Sequence, residues 1–185
     1  MSPSISIRTV ERFEEPEFTG LVNQLLHDPD RREVAERLFG APGAATASTP
    51  SGAQHVRVGA FAGERLVGWS HAWLVPGGQL YVSNSAIVPE HRRQGIYTRL
   101  VEAIEGEARA LGCLRVESHH RAANSAVLIA KLKAGYTIVG TEFSAEMGLL
   151  VKMARQLDGR RDAVFQARVG MVEGAARFFA QGKRP

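Results

Sequence analysis

Alternating and helix-spaced apolar positions divide the chain into a series of strands and helices. SISIRTV, residues 4–10, alternates apolar and polar side chains and predicts a first strand. EFTGLVNQLLHD, from Glu17, and DRREVAERLF, which Asp30 is placed to cap, carry the helical period and predict two short amphipathic helices. QHVRVGAF and RLVGWSHAWLV are β-rich runs joined by AGE, a hairpin signal. QLYVSNSAIV follows the turn PGG and extends the meander. Ile96, Leu100, Ile104, Ala108 and Leu111 then recur at helical spacing, with Gly112 as the stop. CLRVES predicts a strand and NSAVLIAKLKAG a helix ending at Gly135. YTIVGTEFS and EMGLLVKMAR predict a closing antiparallel pair, and Phe165, Val169, Val172, Ala176 and Phe179 form one last helical stripe. No repeat of solenoid length interrupts this order.

The segment from Gly40 to Ala53 is rich in Gly, Ala, Pro, Ser and Thr without an apolar period, and reads as a mobile loop. At 185 residues the chain fits one domain with a proper core, and 44% hydrophobic with 23% charged residues is an ordinary globular composition. The N-terminus lacks a basic head followed by an apolar core, and no apolar run reaches the eighteen or so residues that span a bilayer, so the expectation is a cytoplasmic protein without a membrane role. A lone cysteine, Cys113, sits in apolar surroundings and reads as a buried small hydrophobe; no metal cluster is expected.

The net charge of +4 is unevenly placed: residues 1–151 carry 15 Lys and Arg against 16 Asp and Glu, while residues 152–185 carry 8 against 3. A neutral body argues against a broad nucleic-acid-binding face. The chain thus divides into a body, 1–151, and a basic helical extension, 152–185. The apolar stripe of that extension needs a partner, this chain's own sheet or a homodimer seam, with a membrane-surface or nucleic-acid role for its basic face as the third option.

The candidate chemistry lies in VPEHRRQGIYTRL, residues 88–100, a loop between a strand and the best-formed helix. The first turn of a helix has amides without internal partners and about half a positive charge, so it suits an anion. Gly95 lets the backbone approach closely, and Arg92 and Arg93 add formal charge. Neither a P-loop pattern nor a dinucleotide-binding glycine fingerprint is present.

These residues resemble the GNAT superfamily of N-acetyltransferases. That family's cofactor loop reads V-x-P and then Q/R-x-x-G-x-G/A, and this chain offers Ile87-Val88-Pro89 followed by Arg92-Arg93-Gln94-Gly95-Ile96-Tyr97. Tyr97 departs from the small residue usual there. Asn124 with Gly135-Tyr136 is similar to a second family feature, an Asn opening a helix with Gly and an aromatic eleven and twelve residues on. The likeness covers residues 4–151. It implies an α/β (α+β) fold with a mixed, mostly antiparallel sheet of about seven strands, flanked by helices, to which the basic tail adds one more.

The resemblance also implies acyl transfer from acetyl-CoA, as co-substrate, by direct attack of an amine on the thioester. The amides of Gln94, Gly95, Ile96, Tyr97 and Thr98 would hold the pyrophosphate, beside Arg92 and Arg93. Ile87, Val88 and Asn124 would meet the pantetheine arm and the acyl carbonyl. Lys131 stands where many members place a tyrosine as general acid, and beside Lys133 it reads as a solvated helix residue.

The fourth strand has no carboxylate. By period two, Tyr81, Ser83 and Ser85 would share a face opposite Val82, Asn84 and Ala86, with Tyr81 relaying a proton or orienting the acceptor. Glu117 and His119 share a face of the fifth strand and are the candidate proton acceptors, through water. SHHRAAN reads equally as a polar loop, and His71 as a hairpin surface residue. Beside an active N-acetyltransferase on a small-molecule or protein amine stands a second reading, a non-catalytic acyl-CoA-binding or interaction module of the same fold.

Overall fold

The computed structural model describes residues 4–26, 33, 37, 52–144, 147–168 and 170. The Asp30 cap, most of the second helix, nearly all of the segment 40–53 and the apolar stripe beyond Arg168 lie outside them. Seven strands, β1 (Ile5–Thr9), β2 (His55–Ala62), β3 (Arg65–Val75), β4 (Gln79–Ile87), β5 (Arg115–Arg121), β6 (Thr137–Ser144) and β7 (Gly148–Gln156), form one sheet in the order β1-β2-β3-β4-β5-β7-β6. Every neighbouring pair is antiparallel except β4 and β5. Among the described residues the continuous helices are α1 (Glu17–Leu26), α2 (Ile96–Ala110), α3 (Ser125–Lys133) and α4 (Gly159–Arg168). No helix among the described residues is long and apolar enough to cross a membrane.

The parallel β4–β5 pair requires a crossover, and α2 supplies it. Its Ile96, Leu100, Ile104 and Ala108 are buried against Val56, Val58, Ala72, Leu80, Val82 and Val116. Each large aliphatic removed from water contributes about 1.5–3 kcal/mol before the entropy of ordering the chain is set against it. Leu111, expected on the same stripe, is instead the C-cap of α2 and is exposed, because the helix ends at Ala110. Cys113 is buried and unpaired, as its apolar flanks predict.

Helices α2 and α3 lie on one side of the sheet, where Glu105 of α2 approaches Lys131 of α3. On the other side Phe18 of α1 meets the edge of Trp69 at 5.2 Å and stacks on Phe13 at 4.3 Å. Helix α4 covers β7 on that second side: its Ala163 is buried, and its Gln166 donates to Thr137 Oγ1. Strand β7 continues to Gln156, past the boundary expected at residue 151. Between α1 and α4 the second face of β2, β3, β4 and β5 carries half-buried polar and aromatic side chains.

Two strand details differ from the periodic reading. A register shift opposite His71 and Ala72 pairs Asn84 with His71 and Val82 with Ala72, so Ser83 is an extra residue in β4. Such a bulge inverts every face after it. Asn84 therefore turns toward Trp69, accepting the indole N–H at 2.7 Å, and Ser85 turns the other way to Ser70, 2.8 Å distant. Tyr81 and Ser83 keep the expected face; Ser85 does not share it. Strand β5 also runs on through His119 and His120 to Arg121, so most of the segment read as a polar loop is strand, paired along its length with β7.

Candidate active site

Strands β4 and β5 pair only from Gln79–Arg115 to Val82–Ser118. Beyond that point β4 continues along β3 and β5 along β7, so the two parallel strands part. The gap opens between residues 83–88 on one side and 119–124 on the other. At its β4 side Val88 N–H donates to Val67 O across to β3, which turns the neighbouring N–H of Ile87 toward the gap. Ile87 O accepts from Arg92 Nε at 3.0 Å, folding that guanidinium back over the strand end.

Past β4 the chain makes a single 3-10 turn, Pro89–His91, and then two left-handed residues, Arg93 at φ 61° and Gly95 at φ 73°. The conformation is unstrained for Gly95 and uncommon for Arg93. It delivers the backbone to α2 with no side chain capping the helix. The amides of Ile96, Tyr97 and Thr98 thus face outward from the positive end of a 15-residue helix. A Cβ placed on Gly95 would meet no atom within 4 Å, so the space over these amides is open. Arg92, Arg93 and Gln94 surround it and are exposed. This donor set suits a diphosphate. The ring of Tyr97 packs into the core instead, where burial raises its phenol pKa, so the departure at this position alters how the helix start packs and leaves the amides clear.

Asn124 lies on the opposite side of the gap as the N-cap of α3, its Oδ1 accepting from Val127 N–H at 3.3 Å. The α3 helix ends at Gly135, φ 83°, where Arg155 crosses to bond Ala134 O and a Cβ would strike its guanidinium.

The three catalytic candidates come together at the gap. Tyr81 is in register with Glu117, in the next-to-last pair before the strands part. The rings of Tyr81 and His119 meet edge to face with centroids 5.2 Å apart. His119 Nε2 is 3.4 Å from Glu117 Oε1, while Glu117 Oε2 is 3.1 Å from Arg115 Nη2. The arrangement offers an imidazole steered by a carboxylate at the mouth of the strand gap. Burial, then the charges of Glu117 and Glu142, raise the Tyr81 pKa, so this phenol stays protonated and serves as a donor rather than a base.

His71, expected on a hairpin surface, lies in mid-sheet on the same face. Its Nε2 is 2.8 Å from His55 Nδ1, and burial with the charge of Arg57 depresses its pKa to about 4. His120 points to the helix side, 2.8 Å from Ser118 Oγ, and is likewise depressed to about 4, chiefly by burial. Lys131 corrects a further expectation. It is 2% exposed, with Nζ 3.8 Å from the centroid of the Tyr136 ring, and burial lowers its pKa to about 7 against the opposing pull of Glu105. The sequence offered no period to reveal this, because α3 exposes Ile129 and Leu132 and buries its lysine. A separate cleft of about 770 Å³ between α1 and strands β1–β3, lined by Phe13, Phe18 and Phe61, contains none of these residues. Among the described residues no group of three His, Cys, Asp or Glu is arranged to hold a metal.

Comparison with known proteins adds to this geometry. The model of the acetyltransferase (GNAT) family matches residues 11–134. The ribosomal-protein-S18-alanine N-acetyltransferase of Escherichia coli superposes with a TM-score of 0.63 at 14% identity, over 84% of this chain and 95% of that one. The IAA acetyltransferase of Bacillus cereus gives 0.62 at 12% identity, over 83% and 99%. An acetyltransferase of Bacillus subtilis, solved in complex with CoA, gives 0.59 at 14% identity, over 83% and 99%. No curated protein matches this chain.

Proposed function

Since the chain belongs to the acetyltransferase (GNAT) family, we propose that it is an N-acetyltransferase, moving an acetyl group from acetyl-CoA to an amine by direct attack. The observation that carries this reading is the parting of β4 from β5, which joins the uncapped start of α2 to the Tyr81, Glu117 and His119 cluster. A strand gap with an anion cradle at one end and proton-handling groups at the other is what a long phosphorylated thioester and its acceptor require.

In this reading the amides of Gln94 to Thr98, with Arg92 and Arg93, hold the diphosphate, and the backbone of Ile87 and Val88 with Asn124 lines the arm. Acetyl-CoA supplies the activated acyl carbon. In this reading the amide of Ile87, on the gap side of β4, donates to the arm or to the acyl carbonyl. An acceptor reaches the site as an ammonium and must lose a proton before attack; His119, oriented by Glu117, receives it directly or through one water. Tyr81 orients the acceptor as a hydrogen-bond donor. A non-catalytic acyl-CoA-binding module would need the cradle but not the Glu117–His119 pair, and the presence of that pair at the gap favours the enzyme.

The test is release of free CoA thiol from acetyl-CoA in the presence of an amine panel, with wild type and Glu117→Gln. The expected outcome is amine-dependent release, reduced about 10²–10³-fold in the variant, with acetyl-CoA affinity unchanged. Tight acetyl-CoA binding with no release to any amine would favour the binding module.

A further inference from the structure

The acceptor side of the sheet carries an uninterrupted row of rings. His55 and His71 stack with centroids 5.0 Å apart, and Trp73 meets them at 6.4 and 5.9 Å. Trp73 meets Tyr81 at 5.2 Å, and Tyr81 meets His119 at 5.2 Å. The row crosses β2, β3 and β4 through the register pairs His55–Trp73 and Trp73–Tyr81, and reaches His119 on β5 just beyond the last β4–β5 pair, at the mouth of the strand gap. All five side chains are half-buried, unlike Trp69 on the same strand, which is wholly buried and satisfied by Asn84. A ring cluster serving only the core would be closed over as Trp69 is.

Charge narrows what such a wall accepts. The two carboxylates near it are engaged, Glu117 with Arg115 and His119, and Glu142 with Lys152. Arg57 adds positive potential beside His55 and His71. A polyamine or other polycation would therefore find no free carboxylate among the described residues of this wall. A planar apolar group would find the half-buried faces and edges of these rings to pack on.

We propose that the acceptor is an arylalkylamine: a primary amine joined by a short chain to an aromatic ring, with the ring on Trp73 and its histidine neighbours and the amine at His119. This rests on the acyltransfer reading above and names its substrate class. Tyr81 lies between the two positions, its ring 5.2 Å from that of Trp73 and 5.2 Å from that of His119. The amine gives a proton to the His119–Glu117 pair, its nitrogen forms a bond to the acyl carbon, and the C–S bond breaks. The sulfur leaves with that electron pair and takes up the second proton that the nitrogen sheds as the amide forms, giving an N-acyl arylalkylamine and free thiol.

The experiment is calorimetric titration of phenethylamine, hexylamine and spermidine into the full-length protein, wild type, Trp73→Ala and Trp73→Phe, with acetyl-CoA titrated into each separately. Phenethylamine should bind at least tenfold more tightly than hexylamine or spermidine. Its affinity should drop tenfold or more in Trp73→Ala and be retained in Trp73→Phe, and acetyl-CoA affinity should be equal in all three proteins. Equal affinity for the three amines, no binding of any of them, or indifference to Trp73→Ala would overturn the proposal. A wild type that binds phenethylamine through Trp73 but not acetyl-CoA would leave the aryl site standing and overturn the acyltransfer reading instead.

Discussion

Lys131 shows where reading by residue type reaches its limit. A lysine next to a second lysine on a short helix is ordinarily a solvated pair, yet the packing of α3 turns Lys131 inward onto Tyr136 and leaves Ile129 and Leu132 in solvent. Only the tertiary contacts with α2 and β7, through Glu105 and Arg155, define that interior. Glu117 and His119 were legible for the opposite reason: a period of two is an intrinsic property of any strand, and it places them together wherever the strand goes. The Lys131 pKa near 7 has a stability consequence. Between pH 7 and the unfolded value near 10.5 the unfolded chain binds more protons, so stability from this group rises with pH through that window and its penalty is full below it. Lys131→Met is expected to raise the midpoint of thermal unfolding at pH 7 by several degrees, equivalent to about 1 kcal/mol or more, and to flatten the rise in stability above pH 7. A lowered midpoint at pH 7 would show that the ammonium is a net stabilising partner of Glu105.

At the scale of elements, most boundaries were legible because turn chemistry marks them: the residues of AGE and PGG supply the hairpin turns, and Gly112 and Gly135 adopt the positive φ that ends α2 and α3. The bulge at Ser83 was not legible, since an inserted residue leaves the composition of a strand unchanged and announces itself only in the partner's register. The polar length of β5 was hidden for a related reason. His119, His120 and Arg121 have weak strand preference of their own and are held by β7. Asn124 has a role that is structural and independent of any ligand. Asn124→Ala is expected to cost about 1 kcal/mol through loss of the cap, read as a shift of the urea midpoint at constant slope. Asn124→Ser, which keeps a cap, should recover most of it.

For the molecule as a whole, the two sides of the sheet divide the work: α2 and α3 close one face around the main apolar core, and among the described residues the other face carries half-buried polar and aromatic side chains between α1 and α4. Neutral histidines are half-buried on each side, His120 toward the helices and His71 toward the ring-bearing face, both with pKa near 4. An unfolded histidine titrates near 6.5. Between pH 6.5 and 4 the unfolded state binds more protons, so stability should fall as the pH drops through that window. Urea midpoints at pH 7 and pH 5 should differ in this sense, with a smaller difference in His120→Gln. An equal difference in that variant would assign the acid sensitivity to other groups.

The central claim is that the open start of α2 holds the diphosphate of an acyl thioester. It is tested most directly by calorimetric titration of acetyl-CoA into wild type and Gly95→Glu, whose carboxylate would occupy the clear space over the amides and repel phosphate. Micromolar binding to wild type is expected, with a loss of at least a hundredfold in a variant that remains folded. Undiminished binding in Gly95→Glu, or none to wild type, would contradict it.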